Sequence, residues 1–296
     1  MKTTKKFYVI AVVLICNLTP TLKAQNLYVA SYGSGTIGQY GLDGSTVNGS
    51  LISGLSAGPF GIAISGNKLF VSLFGTGTIG EYTTSGSTVN ASLISGLSEP
   101  GGIAISQNHL FVANWGWGPV GEYTTSGATV NYSFISGVDY PYGIAISGND
   151  LFVSNFGIYS SVGEYTTSGA TVNASLISGL NSPAGIAISG NDLFVANERS
   201  GIIGEYTTSG ATINASLISG LDSPMGIAIS GNDLFVASEN GGTIGEYTTS
   251  GATVNASLIS GLSNPCGIAI SPVPEPSTGA LEGLGAAALW LWRRRK

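Results

Sequence analysis

The stretch SGNDLFVAN at residues 189–197 has close relatives along the chain: SGNKLFVSL at 65–73, SQNHLFVAN at 106–114, SGNDLFVSN at 147–155 and SGNDLFVAS at 230–238. A segment repeated at a fixed period indicates that one copy cannot bury its own apolar face, so neighbouring copies must do it. The phrase GIAI begins at Gly61, Gly102, Gly143, Gly185, Gly226 and Gly267, in steps of 41, 41, 42, 41 and 41 residues. A second anchor, Glu or Gln followed by Tyr, falls at Gln39, Glu81, Glu122, Glu164, Glu205 and Glu246. With LYV at Leu27 taken as the first copy of LFV, every anchor occurs six times.

Each period reads as four strands. GIAIS alternates isoleucine with small residues, LFVA is a short apolar run, TIGEYTT carries β-branched and aromatic residues, and ATVNASLISGL alternates polar with apolar. Turn signals separate them: SGND before the second strand suits a two-residue hairpin, and TTSGAT precedes the fourth. Four antiparallel strands per period of this length predict an all-β, six-bladed β-propeller. A helical solenoid is excluded, because Gly, Ser and Thr recur throughout and no segment shows a 3.6-residue apolar period. The first copy starts at its second strand, and the last ends on a lone first strand, Gly267 to Ser271. The C-terminal strand is therefore expected to complete the N-terminal blade and close the ring, which removes interior edges.

The run SPAGIAISGNDLFVANERSGIIGEYTTSG at 182–210 resembles the NHL-type propeller repeat, and the array is similar to the six-bladed propellers of streptogramin lyases and gluconolactonases. The resemblance covers residues 25–271 and implies the fold. Propellers host many unrelated activities, so it does not imply a function.

The two ends differ from the array. Residues 1–24 combine three lysines, an apolar run from Phe7 to Ile15 and a cleavage point at Ala24, the pattern of a secretory signal peptide. Ile15 before Cys16 argues against a lipidated thiol. Residues 272–296 resemble the bacterial PEP-CTERM sorting tail: Pro274-Glu275-Pro276, a short apolar segment ending in LWLW, then the basic cluster Arg293, Arg294, Arg295 and Lys296. The resemblance implies transient membrane insertion with the basic cluster on the cytoplasmic side, cleavage by an exosortase-type enzyme, and delivery to the cell envelope, outer surface or extracellular matrix. An ordinary retained anchor is the alternative.

Removing both ends leaves Lys68 and Arg199 against fourteen carboxylates, a net charge of −12. Nucleic acid is excluded as a partner, since its binding rests on basic contacts to phosphate. Cys266 is the only cysteine between the two ends, so no disulfide framework is expected there.

Because EYTTSGATVNASLISGL is identical at 164–180 and 246–262, the repeated Glu of GEY reads as scaffold. So does the Asn of VNAS, although Asn90, Asn173, Asn214 and Asn255 match a glycosylation sequon. Variation concentrates in the loop after the second strand and the loop before the first. In a four-stranded blade these share one face, where binding usually resides. Tyr32, Phe74 and Phe156 directly follow their strands and read as caps on the apolar ring. Trp115, Trp117, Tyr140, Tyr142 and Tyr159 are candidate ligand-binding residues, able to stack on sugar faces or to serve as packing. An extracellular polysaccharide or surface protein is the expected partner.

Catalysis finds less support. The only histidine, His109, falls in a hairpin turn on the opposite face. No cofactor is expected, the alternative being Ca²⁺ held in the channel by Asn114, Asn155, Asn197, Glu198 and Glu239; amide oxygens alone bind it poorly because affinity follows ligand charge. The sequence thus points to a non-enzymatic binding or structural module, with a metal-dependent lyase or lactonase as the alternative.

Overall fold

The computed structural model describes residues 25–272 except Ala57 and Trp117. Blade 2 shows the repeating unit: Pro59–Ser65 innermost, then Lys68–Leu73, Thr78–Thr83 and Thr88–Ile94 outermost, hydrogen-bonded in that order. All six sheets have four strands. In blade 1 the innermost strand is Pro265–Ile270, paired antiparallel with Asn26–Ser31 so that Val29 stands opposite Ile268 and Leu27 opposite Ile270. Ser271 tightens this junction, its hydroxyl accepting from the Asn26 backbone N–H at 2.8 Å. The C-terminal strand therefore closes the ring, as the repeat count predicts.

The second strand of each blade is the core. Phe70, Phe111, Phe152, Phe194 and Phe235 are fully buried, with Tyr28 in their place in blade 1. That exception is compensated: Gln39 replaces the repeated Glu, and its Nε2 donates to the Tyr28 hydroxyl at 3.3 Å. The apolar clusters span neighbouring blades. Ile268, Leu27 and Val29 of blade 1 pack with Phe235, Ala237 and Ile244 of blade 6, so no blade buries its faces alone.

Two local rules of the repeat have a steric cause. The Tyr of GEY lies over the Gly two residues earlier on the same strand face; a Cβ at Gly80 would stand 2.7 Å from the Tyr82 ring. The Asn of VNAS accepts the backbone N–H of the Ser two residues on in every blade, from Asn48–Ser50 at 3.2 Å to Asn255–Ser257 at 3.1 Å. This bond sits where the outer strand slips register against its neighbour, so the sequon-like spacing serves a bulge.

The innermost strands surround a narrow axial cavity of about 80 Å³, lined largely by the Gly and Ile of GIAI. Each of these six glycines abuts the carbonyl of the residue just before the corresponding glycine of the next blade: Gly102 faces Tyr142 O, and Gly267 faces Phe60 O.

Candidate functional site

The loops after the second strand and before the first strand form one face, as the sequence predicts. The first residue after each second strand donates its backbone N–H to the loop entering the same blade's innermost strand. The six bonds are Tyr32 to Asn264 O, Phe74 to Gly58 O, Trp115 to Glu99 O, Phe156 to Tyr140 O, Glu198 to Ser182 O and Glu239 to Ser223 O, at 2.9–3.1 Å. Every acceptor has left-handed backbone, with φ of 49° to 66°, and every one precedes a proline. Only in blade 2 is that residue Gly. Non-glycine residues in this region cost about 1–3 kcal/mol each and persist where the surroundings over-determine them, here through the loop-to-loop bond.

This staple places two concentric circles at the mouth of the channel. The inner circle is the residue before each GIAI glycine: Phe60, Gly101, Tyr142, Ala184, Met225 and Cys266. The outer circle is Tyr32, Phe74, Trp115, Phe156, Glu198 and Glu239. Between them lies a recess of about 280 Å³ lined by Tyr32, Phe60, Phe74, Trp115, Tyr142, Phe156, Met225 and Glu239. Adjacent ring centroids are 5.0–6.3 Å apart, from Tyr32–Phe74 through Phe60–Tyr142 to Trp115–Phe156, with interplanar angles from 23° to 85°. Rings tilted this variously wall a concavity instead of stacking flat.

The acidic side of the mouth is electrostatically coupled to its floor. Burial first and the neighbouring Glu198 second raise the Glu239 carboxyl above its ordinary value. Burial also drives the Tyr142 hydroxyl well up, with Cys266, Glu239 and Glu198 adding to it. That hydroxyl reaches across to Met225 Sδ at 3.6 Å. Cys266 is buried, and its thiol is pushed up by desolvation and then by Glu239. The Trp115 Nε1–H is buried without an acceptor among the described residues.

The sequence candidates separate in space. Trp115 and Tyr142 line the recess, and Tyr140 packs on Trp115 at 5.3 Å while its carbonyl holds Phe156 in place. Tyr159 stands away from the recess, 74% exposed beside Ile158. Trp117 and the sorting residues Pro274, Glu275, Pro276, Arg293, Arg294 and Arg295 lie outside the described residues. Tyr32, Phe74 and Phe156, read from sequence as caps, are half-buried or exposed and also line the recess. Met225 also lines the recess and is not among the sequence candidates, although its position before GIAI is a fixed register signal.

The asparagines proposed for a channel metal bond to their own loops. Asn155 Oδ1 accepts the Asp139 N–H at 3.4 Å and Asn197 Oδ1 accepts the Asn181 N–H at 3.1 Å, each tying a loop to a strand end. Asn114 donates to Pro119 O at 2.8 Å. Glu198 accepts from Ser223 Oγ at 3.1 Å. The amide oxygens of Asn155 and Asn197 are thus engaged, whereas Asn114 Oδ1 is buried without a hydrogen-bond partner among the described residues. Among the described residues no three His, Cys, Asp or Glu side chains gather as metal ligands.

His109 lies on the opposite, hairpin face, its Nδ1 2.7 Å from Glu122 Oε1. At the equivalent place in blade 2, Lys68 pairs with Glu81 at 2.6 Å. Blades 4 to 6 put Asp150, Asp192 and Asp233 there, beside Glu164, Glu205 and Glu246. Desolvation, followed by that aspartate, raises each glutamate. Their carboxyls therefore hold protons to higher pH folded than unfolded. Stability declines as pH rises from the ordinary carboxylate range through the raised values. Asp192→Lys, which copies the Lys68–Glu81 pair, is expected to add up to about 1 kcal/mol at neutral pH and to flatten that decline. Thermal melts across this range check both; an unchanged melting profile would show that the acidic pairs have no bearing on stability.

Residues 272–296 match the PEP-CTERM protein-sorting motif. No curated protein matches the chain. Among solved structures, a propeller in a nidogen/laminin complex aligns with a TM-score of 0.76 at 14% identity, over 85% of this chain and 100% of that one. A catalytically inactive virginiamycin B lyase from Staphylococcus aureus with quinupristin aligns at 0.62 and 20% identity, over 85% and 93%. A gluconolactonase from Xanthomonas campestris aligns at 0.60 and 15%, over 69% and 77%. At these identities the likeness shows the fold, and the C-terminal motif implies export, association with the cell surface and processing by exosortase-type machinery.

Proposed function

We propose that this propeller is a non-enzymatic binding module of the cell surface or exopolysaccharide matrix, with the recess at the channel mouth as its ligand site. One observation carries the reading: six aromatic side chains, drawn from blades 1 to 4, surround a single concavity on the face whose loops vary between otherwise near-identical repeats. Aromatic walls with few polar groups suit apolar faces of a ligand, including those of sugars. The alternative, a lyase or lactonase, draws on the activities named for two of the fold neighbours. On this chain Glu239 is the one carboxylate lining the recess, and the single histidine lies on the other face.

The test is retention of the full chain on polysaccharide extracted from the producing organism's matrix. Tyr32→Ala and Trp115→Leu are each expected to lower retention about fivefold, one aromatic contact contributing about 1 kcal/mol. Tyr32, at 40% exposed, is the most exposed of the recess rings, and thermal melting of both variants verifies their fold. Retention of both variants equal to that of the native chain would refute the binding role, and chelator-sensitive turnover of a lactone would favour the enzyme.

A further inference from the structure

We infer that the recess selects a small organic cation, an ammonium bearing apolar substituents; this rests on the binding role proposed above and names its ligand class.

The lining leaves few other ligands well satisfied. Tyr32, Phe60, Phe74, Trp115, Tyr142 and Phe156 present aromatic surface, whose faces carry the negative end of the ring quadrupole. Glu239 closes the remaining side, with Glu198 near enough to raise its carboxyl further. Neither base between the two termini contributes to the recess: Lys68 pairs with Glu81 on the hairpin face, and exposed Arg199 follows Glu198 without lining it.

An anionic ligand would meet the Glu239 carboxylate, with Glu198 close to it, on a ring of net charge −12. A neutral apolar ligand would fill the aromatic wall but leave the Glu239 carboxylate desolvated and unpaired, which is unfavourable. A neutral polar ligand would find few free donors, since the Tyr142 hydroxyl is directed to Met225 Sδ and the Trp115 Nε1–H is buried. A cation satisfies both walls at once. A bare, strongly hydrated ammonium would lose its water against the aromatic side, whereas an alkylated one is weakly hydrated and apolar outside. The modest size of the recess, about 280 Å³, suits a compact head group, free or carried as a substituent on a matrix polymer.

Calorimetric titration of the full chain with choline and with 3,3-dimethyl-1-butanol, its uncharged isostere, isolates the charge. Choline is expected to bind about tenfold more tightly than the isostere, the scale of a desolvated cation–aromatic contact. Glu239→Gln keeps the shape of the wall and is expected to remove about tenfold of the choline affinity while leaving the isostere unchanged. Thermal melting of this variant verifies its fold. An isostere that binds as tightly as choline, or choline affinity unaltered in Glu239→Gln, would overturn the cation selectivity. So would the absence of choline binding. Matrix retention that still depends on Tyr32 would then preserve the binding role, and its loss of that dependence would remove both.

Discussion

Deleting Pro265–Ser271 is expected to leave blade 1 with three strands and to abolish the cooperative melt of the ring. Ile268 is 8% exposed and packs in the cluster shared by blades 1 and 6, where a buried isoleucine is worth about 1.5–3 kcal/mol. The same strand supplies the partner ladder of Asn26–Ser31 and the Ser271 bond to Asn26. It also provides Gly267, whose backbone lies against Phe60 of blade 2. Its removal thus severs contacts to blades on both sides and bares the edge of a long apolar strand, a template for association. The combined loss, of order 5 kcal/mol or more, rivals the whole stability of an ordinary domain. Size-exclusion chromatography and calorimetry check it: aggregation or loss of the transition is expected, and a monomer melting within a few degrees of the intact chain would contradict closure by this strand.

The second large effect is at the axis. Gly102→Ala is expected to destabilise the ring by about 3 kcal/mol, at the upper end for overpacking, because the clash is with backbone. Its Cβ would stand 2.5 Å from Tyr142 O and 3.2 Å from Gly143 Cα and Ile144 N, so relief requires moving a neighbouring blade. The informative control is Gly49→Ala in the outer strand. There the nearest atom to a new Cβ is Thr46 Cγ2 at 3.7 Å, and four other copies already carry Ala. That variant is expected to be neutral or to gain about 0.5 kcal/mol through reduced freedom of the unfolded chain. Melting temperatures of the two variants give the comparison; similar shifts in both would rule out a packing limit at the axis.

Which features were legible in advance follows from how local they are. The blade count, the strand order and the closing strand were readable because one blade is written six times and the phase of its first and last copies is visible. The face carrying the site was readable too, since variation gathers in two loops that a four-stranded blade must place together. Tyr140 shows where such reading stops. As an aromatic in a variable loop it was grouped with ligand contacts, and the structure gives its backbone a second task, a left-handed turn whose carbonyl anchors Phe156. Phe74 and Phe156, which read as caps, pack on Phe60 and Tyr142 and also wall the recess.

The propeller, its six blades, its closure and its acidic charge are legible along the chain, because periodicity, strand alternation and composition are properties of residue order. That Phe60, Tyr142 and Met225 meet Phe74, Trp115 and Glu239 around one concavity, and that the channel asparagines turn to their own loops, is visible in the fold alone. These six recess groups come from four blades, up to 179 residues apart between Phe60 and Glu239. Their meeting depends on the radius and stagger of the closed ring, which the axial glycines set by letting neighbouring backbones touch.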